Sequence, residues 1–507
     1  MKRIIYILAA ASALISTVSC VDLDSVDYSA VNDTIFPATD DDADAIVIGA
    51  AYSPFRSKEY VGLFTSAHDG IHVFSDMASD IGTCRWTDSY WSGVININFI
   101  AEERQGPVII YNNYIRDITR MTNVIRTLEE MDLDPEKKAW YIAQTRCGRG
   151  WLAYILYDMF GPIQLPTEEI LNDPASTKPV PRATQEQTAK FIEDDLLAAI
   201  PDLDARYEYG TENYGRFTKA LAYTVLMKFY MHEERWEDAE KCGRELVKPE
   251  FGFGLMDHYK DIFTLENEGN KETIWACNCK HGENMQMWLT HTLPKDYPNL
   301  ENPDIQRYNG YRVTWNFMDA AFGKYPDDQR LEVLLTEYTV HFSPEETVTY
   351  NKENPGALEN LQLGAVPMKY GEDPEQIGEG SGIDWIVFRY ADVLTLLSEA
   401  IARNAGAVTQ EAVDYLNDVH TRAGLDPYEM SDFASLEAFL TELLDERGRE
   451  LWFEGCRRSD LIRHGKYVEY CKKRKGSTTV DEHMELFPIP QSVINEGKGV
   501  VVQNPGY

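Results

Sequence analysis

Two stretches of this 507-residue chain are rich in tryptophan and tyrosine, and they carry its clearest candidate binding chemistry. A sugar ring presents C–H faces that stack on flat aromatic rings, while its hydroxyls need amide, carboxylate or guanidinium partners nearby. The pattern therefore predicts a carbohydrate site, with core packing as the alternative for each tryptophan. The candidate ligand-binding residues are Trp86, Tyr90, Trp91, Trp288, Tyr297, Tyr308, Asn309, Tyr311 and Trp315, with Arg312 nearby.

Three glutamates, Glu446, Glu450 and Glu454, are spaced four residues apart. A pair of carboxylates is the usual acid and base of a glycosidase. Arginines flank these glutamates, however, and a neighbouring arginine lowers the pKa of a carboxyl group, which spoils a general acid. Charge pairs at this spacing commonly stabilise helices and join neighbouring ones. We interpret the glutamates as structural, predict no catalytic residue, and expect a protein that is not an enzyme.

Metal-binding patterns are weak along the chain. Cys277, Cys279 and His281 offer three ligands within one short segment, but no second cluster accompanies them, so a buried strand is favoured over a zinc site. Asp40–Asp42 lack the spacing of a calcium loop and suit the start of a helix. Without Cys20, the 8 cysteines leave an odd, scattered set that is not a disulfide framework. We predict no metal and no cofactor.

The start of the chain predicts export from the cytoplasm. A positively charged beginning precedes an apolar segment over residues 4–15, which is too short to span a bilayer. Small residues then lead to Cys20, an order that resembles a bacterial lipoprotein signal. We expect a signal peptide over residues 1–19, acylation of Cys20, and an acidic lipidated tether over 20–43. Ordinary cleavage after Ser19 is the alternative.

Net charge limits the possible partners. The chain has 48 Lys+Arg against 83 Asp+Glu, which gives a formal net charge of -35. A body this acidic is repelled by phosphate backbones, so we predict no nucleic-acid partner. The one basic run, Lys472–Lys475, is interpreted as a solvated loop.

Apolar residues at spacings of three and four predict a series of amphipathic helices. The expected ranges are 108–131, 135–160, 185–200, 216–232, 235–247, 389–404, 410–424 and 435–463. Successive antiparallel pairs with large and small residues alternating are typical of tetratricopeptide-type scaffolds. Four tryptophans on apolar helical faces are expected in the core: Trp140, Trp151, Trp236 and Trp452.

The aromatic stretches fall in two long connections, over residues 60–106 and 280–385, which show little helical periodicity. Long connections in compact domains are usually functional. We therefore expect a mainly α fold with little β structure. Its single body, 44–507, is predicted to comprise a helix-pair scaffold (44–250), a loop-rich ligand region (251–388) and C-terminal helices with a turn-rich closure (389–507).

Several motifs in the C-terminal half are specific. The chain reads ERGRELWFEGCRRSDLIR over 446–463, RYADVLTLLSEA over 389–400, TRAGL over 421–425, PIP over 488–490 and QNPGY over 503–507. Together with weaker helix-pair motifs, these resemble the SusD/RagB family, the glycan-binding outer-membrane lipoproteins of nutrient-uptake systems. The segment Cys456–Ser459 departs from the pattern usual in that family, which affects expectations of local packing only.

The resemblance implies a cell-surface lipoprotein, anchored in the outer membrane through Cys20, that binds oligosaccharide or polysaccharide and delivers it to a TonB-dependent transporter barrel. It also implies an aromatic arc on long loops, which varies among members, so that no arc residue transfers by motif. Two alternatives stay open: a glycan hydrolase, and a helical-repeat scaffold that binds peptide or protein. A pure scaffold is expected to bury the loop aromatics.

Overall fold

The computed structural model describes residues 36–57, 62–66, 70–87, 89–101, 106–173, 175–356 and 360–507, with only the backbone described for Ser89 and Tyr90. The predicted signal peptide, Cys20 and the tether up to residue 35 lie outside this part of the chain. The helices are α1 (Asp40–Val47), α2 (Ile71–Met77), α3 (Ser89–Ile95), α4 (Gly106–Glu130), α5 (Pro135–Phe160), α6 (Glu168–Asn172), α7 (Gln185–Ala199), α8 (Lys219–His232), α9 (Trp236–Leu246), α10 (Trp288–Thr292), α11 (Trp315–Phe322), α12 (Tyr390–Ala405), α13 (Gln410–Arg422), α14 (Leu436–Glu450), α15 (Arg457–Arg463), α16 (Tyr467–Tyr470) and α17 (Gln491–Glu496). The strands are β1 (Gly82–Cys84), β2 (Thr273–Cys277), β3 (Tyr311–Thr314), β4 (Leu334–Leu335), β5 (Tyr338–His341), β6 (Thr347–Tyr350), β7 (Gly364–Pro367) and β8 (Trp385–Arg389). This mainly helical content confirms the predicted fold class.

Helix α1 begins at Asp40, inside the segment predicted as tether. The Thr39 hydroxyl accepts a hydrogen bond from the Asp42 amide at 3.2 Å, and the Asp42 carboxylate accepts one from the Thr39 amide at 2.9 Å. This reciprocal capping satisfies two amides that the first turn leaves open. The acidic run is therefore a helix start, as the sequence indicated, because acids are favourable at the positive end of the helix dipole.

Helix α5 has the bounds that its sequence predicts. Asp134 caps its first turn by accepting from the amides of Glu136 and Lys137, and Pro135 occupies the first position, where no amide is needed. Gly161, with a φ of 71°, ends the helix in a backbone conformation that side chains disfavour. Local signals at both ends therefore suffice to define this element.

The helices pack in successive pairs. Helix α5 lies between α4 and α7, α8 packs on α9, and α9 packs on α12, which in turn packs on α13. Glycine at position 150 allows helices α5 and α7 to approach closely, since a Cβ atom there would lie 2.9 Å from Leu196. An ion pair from Arg149 Nε to Asp195 Oδ2, 2.7 Å long, also joins them. No helix within the described residues combines the length and apolar character needed to cross a membrane.

The four tryptophans predicted for the core divide into two kinds. Trp151 and Trp452 are fully buried, as expected. Trp140 and Trp236 are half-buried: the Trp140 indole donates to the Tyr207 hydroxyl at 3.2 Å, and the guanidinium of Arg403 lies 4.6 Å from the Trp236 ring centre. The prediction for Trp140 and Trp236 is therefore only partly right, because both rings keep an edge at the scaffold surface.

The predicted long connections contain a small sheet that periodicity did not indicate. Its strand order is β1-β3-β7-β4, and every pairing is antiparallel, with Cys84 opposite Tyr311 and Val313 opposite Ala365. Gly364 allows β7 to approach β3, since a Cβ atom there would lie 1.9 Å from the Val313 carbonyl oxygen. Strands β2 and β8 form a second pair, and β5 and β6 form a hairpin.

The helix predicted over 435–463 is broken in two. Helix α14 ends at Glu450 and α15 begins at Arg457. Between them Phe453 and Gly455 adopt left-handed backbone conformations, with φ values of 56° and 78°. A periodic apolar pattern continues across this break, which is why the sequence suggested one helix. The turn places Glu454 against the side chain of Arg389 instead of on the face of α14.

A buried network of ion pairs surrounds this break. Arg389 Nη1 lies 2.7 Å from Glu272 Oε1, and Arg389 Nε lies 2.6 Å from Glu454 Oε2. Arg389 also pairs with Glu450, whose second oxygen lies 3.0 Å from Arg330 Nη1. These side chains are almost completely withdrawn from solvent. The network therefore ties β8, the end of α14 and the segment before β2 to one another.

The network also sets the charge of its glutamates. Burial by itself raises the pKa of Glu450, but Arg422, Arg389 and Arg330 outweigh burial and hold that pKa at about 2. Arg330 likewise contributes to holding the pKa of Glu446 well below its usual range, against the opposing effect of burial. Carboxylates kept ionised in this way are poor general acids. The interpretation of these glutamates as structural stays a prediction, which substitution of Glu450 tests.

The basic run is not a free loop, contrary to the sequence interpretation. Arg474 pairs with Asp445 at 2.8 Å, and its guanidinium lies 3.9 Å from the Tyr470 ring centre. Lys475 Nζ donates to the Gly82 carbonyl at 2.6 Å. The long side chains of Arg474 and Lys475 reach these acceptors, whereas Lys472 and Lys473 stay in solvent. This half of the run therefore supports β1, the strand that precedes Trp86.

We expect Glu450→Ala to lower the free energy of unfolding by about 3–5 kcal/mol, because it leaves Arg389 and Arg330 buried with a missing partner. Denaturant unfolding followed by circular dichroism measures the change. The control is Glu237→Ala, since Glu237 is exposed and pairs with Lys241 at the surface. It should cost at most about 1 kcal/mol. Equal effects of the two substitutions would contradict a stabilising role for the buried network.

Candidate functional site

Strands β1 and β3 hold Trp86 at the edge of the small sheet. The amide of Arg85, directly after β1, donates to the Gly310 carbonyl at 3.1 Å. The Trp86 indole Nε1 donates to the Tyr308 carbonyl at 3.2 Å. A Cβ atom on Gly310 would lie only 2.5 Å from the indole. Glycine at position 310 therefore lets the ring lie flat against the start of β3.

Three of the candidate residues form the buried support of Trp86. Trp91, Trp288 and Tyr311 expose 2%, 1% and 0% of their surface. Their rings touch in sequence: the centroids of Trp86 and Trp91 are 5.9 Å apart, those of Trp91 and Tyr311 5.4 Å, and those of Trp288 and Tyr311 5.8 Å. Rings enclosed in this way present no face to a sugar. The core alternative therefore applies, which corrects the assignment of these three residues as sugar contacts.

Asn309 and Tyr297 also lie inside, beside Arg312. Asn309 has a φ of 56°, and its amide nitrogen donates to the Asn360 side chain at 2.6 Å. Arg312 Nε donates to the Asn360 carbonyl at 2.7 Å, and burial lowers the pKa of Arg312 to about 9. Tyr297 packs edge-on against Tyr338, with ring centres 5.6 Å apart. These side chains fix the loop before β3, which corrects their assignment as ligand contacts.

The partly exposed aromatics are a smaller set. Trp86 and Tyr308 are both half-buried, and the Tyr308 hydroxyl donates to Gln306 Oε1 at 2.8 Å and also bonds the Glu379 carboxylate. The backbone amide of Gln306 donates to the Gly378 carbonyl at 3.0 Å. In the same 377–380 segment, Ile377 is 84% exposed. We call Trp86, Gln306, Tyr308, Ile377 and Glu379 the Trp86–Tyr308 platform. It combines two aromatic faces with amide and carboxylate groups at the surface.

Trp315 marks a second half-buried aromatic position, at the other end of β3. Its indole donates to the Leu361 carbonyl at 2.8 Å. The ammonium of Lys352 lies 5.4 Å from its ring centre and pairs with Asp319 at 2.9 Å. Because a strand advances about 3.4 Å per residue, the four residues of β3 separate Trp315 from the platform by roughly 14 Å. An extended ligand of several sugar units spans such a distance.

Sequence reasoning missed three residues of the platform: Gln306, Ile377 and Glu379. The sequence did identify Tyr308 as a candidate. The 377–380 segment reaches it through a β-bridge between Ile305 and Gly378, which are far apart in the chain. The side chain of Tyr90 lies outside the described residues, although its backbone starts α3. Its role therefore stays a prediction.

The cysteine cluster is structural where the structure describes it. Burial raises the pKa of the Cys277 and Cys279 thiols well above the usual range, so both stay protonated. His281 Nε2 lies 2.9 Å from the carboxylate of Asp373. Among the described residues, no group of three or more His, Cys, Asp or Glu side chains is arranged to hold a metal ion.

Two sequence families match successive parts of the chain. The model described as "SusD family" matches residues 271–507, and the one described as "Starch-binding associating with outer membrane" matches residues 65–231. Both describe SusD-like proteins, and their matches include both aromatic stretches and the motif-rich C-terminal half. Residues 65–231 and 271–507 are therefore SusD-like in sequence, as the motifs of the chain indicated.

Individual relatives are distant. The starch-binding protein SusD of Bacteroides thetaiotaomicron is 33% identical over 127 residues, which cover 24% of this chain and 21% of that protein. The SusD-like protein P25 of Formosa agariphila is 23% identical over 392 residues, or 70% of this chain and 68% of that protein. The chain thus spans about a fifth of the length of the first relative and two thirds of the second.

Solved structures share the fold. A SusD homologue from Bacteroides thetaiotaomicron superposes with a TM-score of 0.75 at 20% identity, covering 93% of this chain and 98% of the other. A laminarin-binding SusD-like protein gives 0.73 at 21% identity, with 93% and 100% covered. Surface glycan-binding protein A of Bacteroides thetaiotaomicron, solved with laminarihexaose, gives 0.67 at 21% identity, with 92% and 100% covered. The chain therefore shares its overall fold with these solved structures.

Trp91→Ala is expected to lower the free energy of unfolding by about 3–5 kcal/mol, because removing a buried indole leaves a cavity in the aromatic support. Thermal and urea unfolding measure the effect. The matched control is Phe342→Ala, since Phe342 is 54% exposed at the turn of the β5–β6 hairpin. Its substitution should stay within about 0.5 kcal/mol. A wild-type unfolding curve for Trp91→Ala would place that ring outside the core.

Proposed function

We propose that this protein is a cell-surface lipoprotein that binds oligosaccharide or polysaccharide and passes it to a TonB-dependent transporter barrel in the outer membrane. Similarity to the SusD-like family supports glycan binding as the general activity. The observation that carries the proposal for this chain is the Trp86–Tyr308 platform. There, exposed aromatic surface lies beside an amide and a carboxylate on a buried aromatic support.

The platform suits a sugar for two physical reasons. The C–H face of a pyranose ring packs on the indole of Trp86, while hydroxyl groups bond to Gln306 and Glu379. The indole is fixed by its hydrogen bond to the Tyr308 carbonyl and by contact with Tyr311, with ring centres 5.4 Å apart. A surface that is already ordered loses little conformational entropy on binding. Trp315 extends the same site along β3.

A glycan hydrolase is the first rival. A retaining or inverting glycosidase needs two free carboxyl groups on either side of the scissile bond. Glu446, Glu450 and Glu454 do not provide them, because they are buried and paired with arginine or lysine. We propose a binding protein without catalytic activity. Release of reducing ends from any bound oligosaccharide by the purified protein would contradict this.

A scaffold that binds only peptide or protein is the second rival. The exposure of the loop aromatics was expected to distinguish a scaffold from a glycan-binding protein, and the structure contains both buried and exposed ones. Trp91, Trp288 and Tyr311 are buried, as a scaffold requires, whereas Trp86 and Trp315 keep exposed surface beside polar groups. A glycan array probed with the purified mature chain separates the two, because only a carbohydrate-binding protein gives a reproducible set of bound glycans.

We expect Trp86→Ala to weaken the affinity for a glycan identified on that array by about tenfold or more, since losing the stacked face costs roughly 1.4 kcal/mol. Gly310→Ala should act in the same direction, because its new methyl group displaces the indole. Isothermal titration calorimetry measures both affinities. The control is Trp236→Ala, a half-buried tryptophan on α9, which should bind the glycan normally. Unchanged affinity in Trp86→Ala with a normal melting curve would place the site elsewhere.

Lipid anchoring is a separate part of the proposal, because Cys20 lies outside the described residues. We expect Cys20→Ala to move the protein from the membrane fraction to the soluble fraction, since its acyl chains would supply the hydrophobic anchor. Cell fractionation and intact-mass measurement of the mature chain test this. Replacement of Ser19 by Ala serves as the neighbouring control. A wild-type chain without added acyl mass that still pellets with the membrane would refute acylation.

A further inference from the structure

A long groove runs along the solvent-facing side of α4, far in the sequence from the platform. Its walls are α4, the 164–180 segment and α17, and its volume is about 1240 Å³. The lining residues on α4 recur every three or four positions, from Asn112 through Arg116, Thr119 and Asn123 to Thr127. One continuous helix face therefore forms the floor. We call this the α4 groove.

Positive charge is concentrated in the groove. Arg116, Arg120, Lys178 and Lys498 line it and are all exposed, against one acidic lining residue, Glu496. Lys178 already pairs with Glu169 at 2.6 Å, so Arg116, Arg120 and Lys498 supply the excess positive charge. The carboxylate nearest to Arg120 in an ion pair is that of Asp117, 3.9 Å away and on the same helix. In a chain with a net charge of -35, such a group of cations is a local exception. The groove thus favours an anionic occupant.

Apolar side chains lie between these cations. Ile115 and Val124 lie on α4, Ile170 on α6 and Val493 on α17, and each of them is half-buried. A surface that alternates apolar and cationic positions suits an extended segment that alternates apolar and acidic residues. Free inorganic anions would leave the apolar part of the groove uncovered.

The chain itself supplies such a segment at the right place. Pro37, at the start of the described chain, is part of the groove lining. The preceding residues, 21–35, contain four aspartates and no lysine or arginine. Apolar residues are interspersed with the acids: Val21, Leu23, Val26, Tyr28, Val31 and Ile35. The segment is joined to the rim of the groove, so its local concentration there far exceeds that of any free ligand.

We propose that residues 21–35 bind in the α4 groove, with the aspartates of this segment paired to Arg116, Arg120 and Lys498. Binding would shorten the link between Cys20 and the body. Sixteen free residues, 20–35, reach up to about 55 Å when extended, whereas a bound segment holds the body against the anchoring surface. The α4 groove is thus a docking site that sets how far the body stands from the membrane. The role in setting this distance rests on the proposed acylation of Cys20, whereas docking of the segment depends on neither acylation nor glycan binding.

Hydrogen exchange on the mature chain, read by mass spectrometry, tests the docking. In the wild type we expect amides of residues 21–35 to exchange at least tenfold more slowly than in the isolated peptide. The double variant Arg116→Glu, Arg120→Glu should lose this protection, and 1 M salt should weaken it by screening the ion pairs. Arg126→Glu is the control, since Arg126 lies on the same helix, pairs with Glu168 and is not part of the groove lining.

A charge swap keeps the test independent of misfolding. Adding Asp24→Lys and Asp27→Lys to the double variant should restore protection, because it re-creates opposite charges with the signs exchanged. Peptide-like exchange of residues 21–35 in the wild type would overturn the proposal. So would protection that survives the double charge reversal while the melting temperature is unchanged. If the double variant instead loses only an acidic oligosaccharide on the glycan array, the groove is a ligand site and the proposal is wrong.

Discussion

The buried charge of Arg389 is the constraint on which the rest of the structure depends. An unpaired guanidinium in a dry interior costs several kcal/mol, so its partners must arrive together. Those partners come from two distant parts of the chain, Glu272 before β2, and Glu450 at the end of α14 with Glu454 in the turn after it. Pairing them fixes the β2–β8 ribbon against the end of α14. The β2–β8 ribbon and the C-terminal helices are thereby joined around one charged centre.

The same centre reaches the proposed sugar platform through the turn after α14. Phe453, in its left-handed conformation, packs edge-on against Trp288 with ring centres 5.2 Å apart, and Trp288 packs on Tyr311. Tyr311 in turn supports Trp86. The exposed indole therefore stands on a continuous stack of rings whose far end is held by ion pairs. Rigidity at the surface follows from packing that begins deep in the core.

Two surfaces of different character result. The Trp86–Tyr308 platform is small, aromatic and bordered by neutral and acidic acceptors, which suits an uncharged sugar. The α4 groove is long and cationic in an otherwise acidic molecule, which suits an acidic segment. They are built on different elements, the β1–β3 edge and the helix-pair scaffold, so substitutions at one are expected to leave the other intact.

Much of the fold was determined by the sequence itself. The bounds of α5 follow from Asp134, Pro135 and Gly161, and the helix-pair architecture follows from apolar spacing, because caps and periodicity are local properties of the chain. The arginine neighbours of the glutamates on α14 indicated ion pairing, and Arg449 does pair with Glu446 at 2.7 Å. The motifs of the C-terminal half indicated the family.

Only the tertiary structure decided which loop aromatics stay exposed. Trp86 and Trp91 lie five residues apart in a stretch with little helical periodicity, and both contact Tyr311. Yet Trp86 keeps exposed surface, whereas Trp91, on the short helix α3, is 2% exposed. Burial of a ring in such a stretch depends on partners distant in the chain, which no local pattern records. The break at Phe453 has the same origin, since the ion pair between Glu454 and Arg389 overrides the helical periodicity that continues through it.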